Sequence, residues 1–157
     1  MKTRTRTFTA AVIAVAGLGV ATYAQMKPAS SRPTAIVYKT PTCGCCSLWV
    51  DHLKANGFQV ESKDVSADEV RAVSKAAGLK DEGASCHTAK IGNYVVEGHV
   101  PASDIHKMLK EKPAIAGIAA PGMPMGSPGM EQGGVKDAYD VIAFTKDGKT
   151  SVYSKHK

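Results

Sequence analysis

The chain of 157 residues carries 20 lysine and arginine residues against 14 aspartate and glutamate residues, a formal net charge of +6. Three of the basic residues fall within the first 24 positions, and the remainder holds 17 basic and 14 acidic residues, a charge of only +3. Nucleic-acid binding is excluded as an interpretation, because it requires a basic patch with aromatic side chains, and neither is evident here. The remaining residues, about 130, suffice for one domain with its own core.

The first 24 residues have the pattern of a secretory signal peptide. Three basic residues precede an apolar run over 8–21, and Ala24 supplies the small residue before a cleavage site. The run is shorter than the roughly 20 apolar residues that span a bilayer. We therefore expect export to the periplasm, cleavage after about Ala24 and no membrane span afterwards; retention as an uncleaved anchor is the alternative.

A βαβ unit is predicted at the start of the domain. Residues 25–34 contain proline and serine and are expected to form a flexible leader, and the domain is assigned to 35–157. The patterns predict a strand over 35–39, a helix over 47–56 and a strand over 58–63. Three cysteines lie at the first strand-to-helix turn of this unit.

The rest of the domain continues the alternation of helices and strands. Ser66 and Glu69 form a capping-box pattern at a helix start, and Gly92-Asn93 marks a turn. The predicted elements are a helix over 66–77, a strand pair over 90–97, a helix from Pro101, an irregular loop over 113–134 and a hairpin within 141–153. The order predicts a thioredoxin-like α/β fold, with a central mixed sheet, flanking helices and an extra C-terminal hairpin.

The sequence Cys43-Gly44-Cys45-Cys46 places three thiols at the start of a predicted helix. Unpaired N–H groups and the helix dipole stabilise thiolates there. A C-x-x-C pair is typical of thiol–disulfide chemistry, with Cys43 as nucleophile and Cys46 as resolving thiol. The additional Cys45 favours a thiophilic metal, because it is a wrong disulfide partner for a catalyst but a further ligand for a metal. Both interpretations remain open.

The fourth cysteine, Cys86, lies in the loop before the predicted third strand, which in this fold lies against the first turn. Its polar neighbours Ser85 and His87 argue against a purely hydrophobic role. His87 is a candidate ligand or orienting residue. His99 lies on a side that often faces the cysteine turn. The other histidines are expected at the surface: His52, His106 and His156.

Four thiolates suit Zn²⁺, Cu(I) or an iron–sulfur cluster. The spacing matches neither a zinc ribbon nor a ferredoxin. Three methionines lie in a Gly/Pro-rich loop that cannot form a helical stripe: Met123, Met125 and Met130. Thioether sulfur prefers soft Cu(I), which favours copper. The alternative is that these side chains fill packing gaps, or that the loop is a mobile tether.

Three stretches resemble a known family: YKTPTCGCCSLWVDHL, SCHTA and VEGHVPASDIHKML. They are similar to small exported bacterial proteins long described as a domain of unknown function, of which the CopG-type copper-resistance proteins are the best understood. The resemblance extends from about Ala35 to Val152. It implies a thioredoxin-like fold, a cysteine-bridged multinuclear copper cluster and a copper-redox role.

Carried over to this chain, the resemblance makes Cys43, Cys45, Cys46 and Cys86 the cluster cysteines, with Met123 or Met125 from the late loop. Thioredoxins have a cis-proline before the third strand, where this chain has Thr88-Ala89, and this departure also favours copper. The predicted metal ligands are therefore Cys43, Cys45, Cys46, Cys86, Met123, Met125 and His87.

The predicted function is copper resistance or homeostasis in the periplasm, with Cu(I) held in a multinuclear thiolate cluster. A copper-linked redox activity is a further hypothesis, in which a Cys43–Cys46 disulfide releases copper. Copper ions and other periplasmic copper-handling proteins are the expected partners. The alternatives are a thiol–disulfide oxidoreductase that uses Cys43 and Cys46, and a copper chaperone.

Overall fold

The structure is a computed structural model that describes residues 32–157. The signal peptide predicted over 1–24 lies outside the described residues, as does the predicted leader except for its last three positions. The first strand begins at Thr34. Among residues 32–157, no helix is both long enough and apolar enough to cross a membrane.

The described residues form three α-helices and seven strands, with a short 3₁₀ turn at Asp81–Gly83. The helices are α1 (Gly44–Ala55), α2 (Ala67–Ala76) and α3 (Ala102–Glu111). The strands are β1 (Thr34–Lys39), β2 (Gln59–Asp64), β3 (His87–Ile91), β4 (Tyr94–Gly98), β5 (Gly117–Ala120), β6 (Tyr139–Phe144) and β7 (Thr150–His156).

All seven strands belong to one mixed sheet in the order β2-β1-β3-β4-β5-β6-β7. The pairs β1–β2 and β4–β5 are parallel, and the other neighbours are antiparallel. Strands β1 to β4 with the three helices follow the predicted β-α-β-α-β-β-α order, which confirms the thioredoxin-like fold. The predicted C-terminal hairpin is β6–β7.

The core lies on both faces of this sheet. Adjacent residues of a strand point to opposite faces, and Val96 and Ile118 belong to one buried cluster while Val95 and Ala119 belong to another. The first cluster includes Trp49 and other apolar side chains of α1 and α3. Full burial of one such side chain stabilises the fold by about 1.5–3 kcal/mol. This packing fixes α1 against the sheet.

The prediction of an irregular loop over 113–134 is wrong for Gly117–Ala120, which form β5 between β4 and β6. All four residues of β5 are buried. Gly117 has no room for a side chain, because a Cβ atom there would overlap the Val95 carbonyl oxygen. Three of its four residues are glycine or alanine, which have low β propensity, and the run shows no alternation. The strand therefore arises from its sheet neighbours rather than from a local signal.

Candidate metal centre

Three cysteines occupy the N-terminal end of α1. The helix begins at Gly44, three residues before its predicted start, so Cys43 is the N-cap residue and Cys45 and Cys46 belong to the first turn. The first turn contains no acidic residue, and Cys43 makes no side-chain capping hydrogen bond. The positive end of the helix dipole and its free N–H groups are therefore directed at the sulfur atoms.

The fourth cysteine, Cys86, directly precedes β3 and completes a cluster with the other three. The four Sγ atoms all lie within 4.8 Å of one another. Cys46 Sγ is 3.3 Å from Cys86 Sγ, and Cys43 Sγ is 3.5 Å from Cys45 Sγ. Cys43 and Cys46 form a disulfide with a Cα–Cα distance of 5.3 Å, and Cys45 and Cys86 are free thiols.

Burial differs among the four cysteines. Cys46 is fully buried, whereas Cys43, Cys45 and Cys86 are half-buried. The pKa of the Cys86 thiol is raised to about 11, first by burial and then by the nearby Cys45. A cation at this position would reverse the effect, because a positive charge among the sulfurs favours the thiolate form.

His99 presents a nitrogen lone pair to the cluster. Its Nδ1 lies 2.8 Å from the Pro128 carbonyl oxygen, which can only accept a hydrogen bond, so Nδ1 carries the proton. The unprotonated Nε2 then faces Cys86 Sγ at 3.6 Å. His99 is buried, and burial lowers its pKa, which favours the neutral imidazole that metals bind.

His87, the predicted histidine candidate, also contacts Cys86. Its Nδ1 lies 3.6 Å from Cys86 Sγ, and its ring packs on Trp49 with centroids 4.4 Å apart. Burial lowers the pKa of His87 to about 3, so the ring is neutral. Cys86, His87 and His99 form a second group with metal-ligand spacing that shares Cys86 with the cysteine cluster.

Glu97 holds the backbone on both sides of Cys86. Its fully buried carboxyl group accepts a hydrogen bond from Ser85 N–H at 2.7 Å and another from the Thr88 hydroxyl. Burial raises the pKa of Glu97 to about 7. Glu97 is not among the residues predicted from the sequence, although a single acidic residue within the apolar strand YVVEG was a readable signal of a buried polar role.

The methionine loop, residues 121–130, covers the cysteine end of α1. The Pro128 carbonyl accepts the His99 hydrogen bond, and Gly129 lies against the helix. A Cβ atom on Gly129 would come within 2.8 Å of both Cys45 O and Trp49 N. Internal hydrogen bonds order the loop, including one of 3.0 Å from Gly126 N–H to Met130 O. It is therefore a packed cover rather than a tether.

The three methionines of this loop differ in exposure. Met123 is 43% exposed and adopts a left-handed backbone with φ of 53°. Met125 and Met130 are less exposed than Met123. Met130 directly follows Gly129. Of the three methionines, it is therefore the one whose backbone is fixed next to the first turn of α1.

Of the three histidines predicted at the surface, only His106 is exposed. His52 is half-buried, and its Nε2 accepts a hydrogen bond of 3.1 Å from Ala102 N–H at the start of α3. His156 is half-buried and contacts Asp104 at 2.8 Å. None of the three belongs to a metal-ligand group within residues 32–157.

Comparison with known proteins identifies the family. Residues 83–130 match a family model described as a protein of unknown function, DUF411. A solved structure described as copper resistance protein CopG, form 2, is 46% identical, with a TM-score of 0.72, over 80% of this chain and 98% of that one. The chain belongs to the CopG family.

A second CopG structure, form 1, is 44% identical with a TM-score of 0.72, and the match covers 78% of this chain and 96% of that one. No protein with a curated description matches the chain. The DUF411 segment includes Cys86, His99 and the methionine loop, so three parts of the candidate site fall within one matched segment.

Proposed function

We propose that this CopG family member binds copper for copper resistance. With its Cys43–Cys46 disulfide reduced, it holds Cu(I) between the thiolates of Cys43, Cys45, Cys46 and Cys86. The observation that carries the proposal is the position of four Sγ atoms within 4.8 Å of one another at a helix N-terminus. Two relatives at 46% and 44% identity are described as copper resistance proteins, which supports copper as the metal.

The donor chemistry favours Cu(I) over Zn²⁺. Structural zinc sites use thiolate and imidazole ligands, whereas thioether sulfur is a ligand for soft Cu(I). The methionine loop packs on the cysteine end of α1 through Gly129, which places the backbone of Met130 next to that end of the helix. Sulfur atoms 3.3 Å and 3.5 Å apart are also close enough to share metal ions, so we propose a multinuclear cluster.

Neutral ligands complete the proposed set. We assign His99 Nε2 and His87 Nδ1 as candidate nitrogen ligands, because both face Cys86 Sγ at 3.6 Å. Met123 and Met125 remain candidate thioether ligands. Met130 joins them, since its backbone is fixed beside α1 by the contact of Gly129.

We also propose a copper-linked redox step, which the Cys43–Cys46 disulfide supports. Oxidation of the two thiolates to a disulfide gives up two electrons, and two Cu(II) ions can take these up to become two Cu(I) ions. The step removes two thiolate ligands from the site. Reduction of the disulfide by a dithiol restores them and oxidises the donor to its own disulfide.

An anaerobic Cu(I) titration of the reduced wild-type protein and the Cys45→Ser variant tests the cluster. We expect several copper ions per wild-type chain and fewer in the variant, because a bridging thiolate is lost. Leu48→Ala is the matched control, since Leu48 is an exposed residue one turn further along the same helix. Full copper stoichiometry in Cys45→Ser would contradict the cluster.

A second candidate function is thiol–disulfide exchange with protein substrates. The C-x-x-C disulfide at a helix N-terminus of a thioredoxin-like fold favours it. This function predicts reduction of insulin disulfides that survives Cys45→Ser and Cys86→Ser but is lost in Cys43→Ser. The copper proposal predicts no such activity in the wild type or in any of these three variants.

We also propose that the protein acts in the periplasm after removal of residues 1–24, with other copper-handling proteins as its partners there. The pattern of basic residues, apolar run and Ala24 supports export. The mass of the protein isolated from the periplasmic fraction tests it. A chain that begins near Gln25 is expected, and a full-length membrane-bound chain would contradict cleavage.

A further inference from the structure

We propose that Cys86 attacks the Cys43–Cys46 disulfide from within the protein and that the oxidised site interconverts between a Cys43–Cys46 and a Cys46–Cys86 disulfide. The proposal goes beyond copper binding and does not depend on it. It gives Cys86 the role of a nucleophile in addition to that of a metal ligand.

The contacts of the two free thiols carry the inference. Cys86 Sγ lies 3.3 Å from Cys46 Sγ, so an attacking sulfur is already in contact with one end of the disulfide. Cys46 is fully buried. A thiol from solvent can therefore reach only the Cys43 end, and Cys86 is the thiol placed to attack the buried end.

The backbone of Cys86 is held beside the disulfide by hydrogen bonds of its neighbours. Glu97 binds the amide of Ser85 on one side and the hydroxyl of Thr88 on the other. The Cys86 Sγ–Cys46 Sγ contact joins the start of β3 to the first turn of α1. A nucleophile held in contact reacts faster than one that must diffuse to its target.

The exchange balances without an external oxidant or reductant. Cys86 loses its thiol proton, and its sulfur forms a bond to Cys46 Sγ. The Cys43–Cys46 bond breaks, and Cys43 leaves as a thiolate that takes up the proton. The protein keeps one disulfide and two thiols throughout.

The products differ in where the reduced thiols lie. In the Cys43–Cys46 form, the free thiols are Cys45 and Cys86. After exchange they are Cys43 and Cys45, which are half-buried neighbours with Sγ atoms 3.5 Å apart. The exchange thus leaves an adjacent thiol pair, Cys43 and Cys45, at the helix N-terminus.

Cys45 is the competing nucleophile, because its Sγ contacts Cys43 Sγ. Its attack would give a Cys43–Cys45 disulfide and free Cys46. The two routes are distinguishable, since attack by Cys86 frees Cys43 and attack by Cys45 frees Cys46.

The test uses the full-length gene product, purified free of metal and oxidised to one disulfide. The free thiols are alkylated with N-ethylmaleimide, the protein is digested with trypsin, and the peptides are mapped by mass spectrometry. Cleavage at lysine places Cys43, Cys45 and Cys46 in the peptide 40–54 and Cys86 in the peptide 81–90. A Cys46–Cys86 disulfide therefore joins two peptides, whereas a Cys43–Cys46 disulfide stays within one.

We expect joined peptides that carry the label on Cys43 and Cys45. The same product is expected from Cys45→Ser with the label on Cys43, and labelling of Cys43 should fall to background in Cys86→Ser. Label on Cys45 and Cys86 alone, with no joined peptides, would overturn the proposal. So would label on Cys43 at wild-type level in Cys86→Ser. Because no copper is present, failure here leaves the copper titration unaffected.

Discussion

His99 joins two parts of the molecule that lie far apart in the sequence. Its Nδ1 donates to Pro128 in the methionine loop, and its Nε2 faces Cys86 before β3. The loop carbonyl fixes the tautomer, and the tautomer determines that Nε2 keeps its lone pair. One buried imidazole therefore both anchors the loop and directs a nitrogen lone pair at the cysteine cluster.

Replacement of His99 by alanine is expected to weaken Cu(I) binding by at least about tenfold, because it removes this donor and releases the loop. Competition with a Cu(I) chelator measures the affinity. His106→Ala is the matched control, since His106 is exposed and belongs to no metal-ligand group of the described residues. An unchanged affinity in His99→Ala would exclude His99 from the site.

Glu97 makes the stability of the fold depend on pH. Its pKa of about 7 in the folded state lies above the ordinary value of 4.5, so the unfolded chain loses the proton first as pH rises. The stabilisation of the folded state by the protonated Glu97 carboxyl group is therefore complete below pH 4.5. It is lost as the pH rises toward 7. The loss is on the order of 3 kcal/mol. His87, whose pKa in the folded state is about 3, has the opposite effect, because it makes the stability rise with pH between 3 and 6.5.

Comparison with Glu97→Gln isolates the contribution of this carboxyl group. The free energy of unfolding in urea is measured for both proteins at pH 4.5 and pH 7.5. We expect the wild type to lose stability relative to the variant on going to the higher pH, while the histidine effects cancel. An equal change in the two proteins would contradict a raised pKa at Glu97.

Among the elements, α1 and the methionine loop define the site together. The helix supplies three sulfur atoms and the positive end of its dipole. The loop closes over them through the contact between Gly129 and the backbone of Cys45 and Trp49. The contact requires glycine at position 129, because the backbone has a φ of 84° there and because a side chain would overlap the helix.

Gly129→Ala is expected to lift the loop and to expose Cys45. Gly122→Ala is the control, because Gly122 has a similar φ of 77° but a Cβ atom there would meet no other atom within 4 Å. The left-handed backbone costs both variants about 1–2 kcal/mol, and the overlap costs Gly129→Ala about 1–3 kcal/mol more. Faster alkylation of Cys45 in Gly129→Ala alone would support the contact, and equal rates and stabilities would contradict it.

The elements with a strong local pattern were predictable from the sequence. Ser66 and Glu69 form the predicted capping box of α2, and Gly92-Asn93 forms the predicted turn between β3 and β4. The position of Cys86 next to the first turn of α1 was predictable from the thioredoxin-like fold. β5 was not predictable, because its glycine and alanine residues form a strand only between two existing neighbours.

The residues of the candidate site whose roles depend on distant contacts were equally hard to assign. His99 was noticed in the sequence, but its lone pair is determined by Pro128, 29 positions further along the chain. No periodicity encodes such a pair. The burial of Glu97 is readable from its place in the apolar strand YVVEG, but its partners are not, since Ser85 and Thr88 lie on the preceding loop and strand.

At the scale of the whole molecule, metal binding is expected to stabilise the fold. The four sulfur atoms come from the start of α1 and the residue before β3, so a bound cluster would link two elements of the sheet-and-helix core. Binding to the folded state alone adds about 2.7 kcal/mol when free metal is 100 times the dissociation constant. Anaerobic thermal unfolding should show a higher melting temperature with Cu(I). If Cu(I) left the melting temperatures of both the wild type and Cys45→Ser unchanged, this linkage would be contradicted.

The most direct measurement of copper binding is an anaerobic Cu(I) titration of the reduced protein against a competing chelator, with free thiols counted at each step. We predict that more than one copper binds per chain with high affinity and that all four thiols lose their reactivity together. A single loosely held copper, with a Cys43–Cys46 disulfide that forms readily, would contradict the thiolate cluster and favour thiol–disulfide exchange.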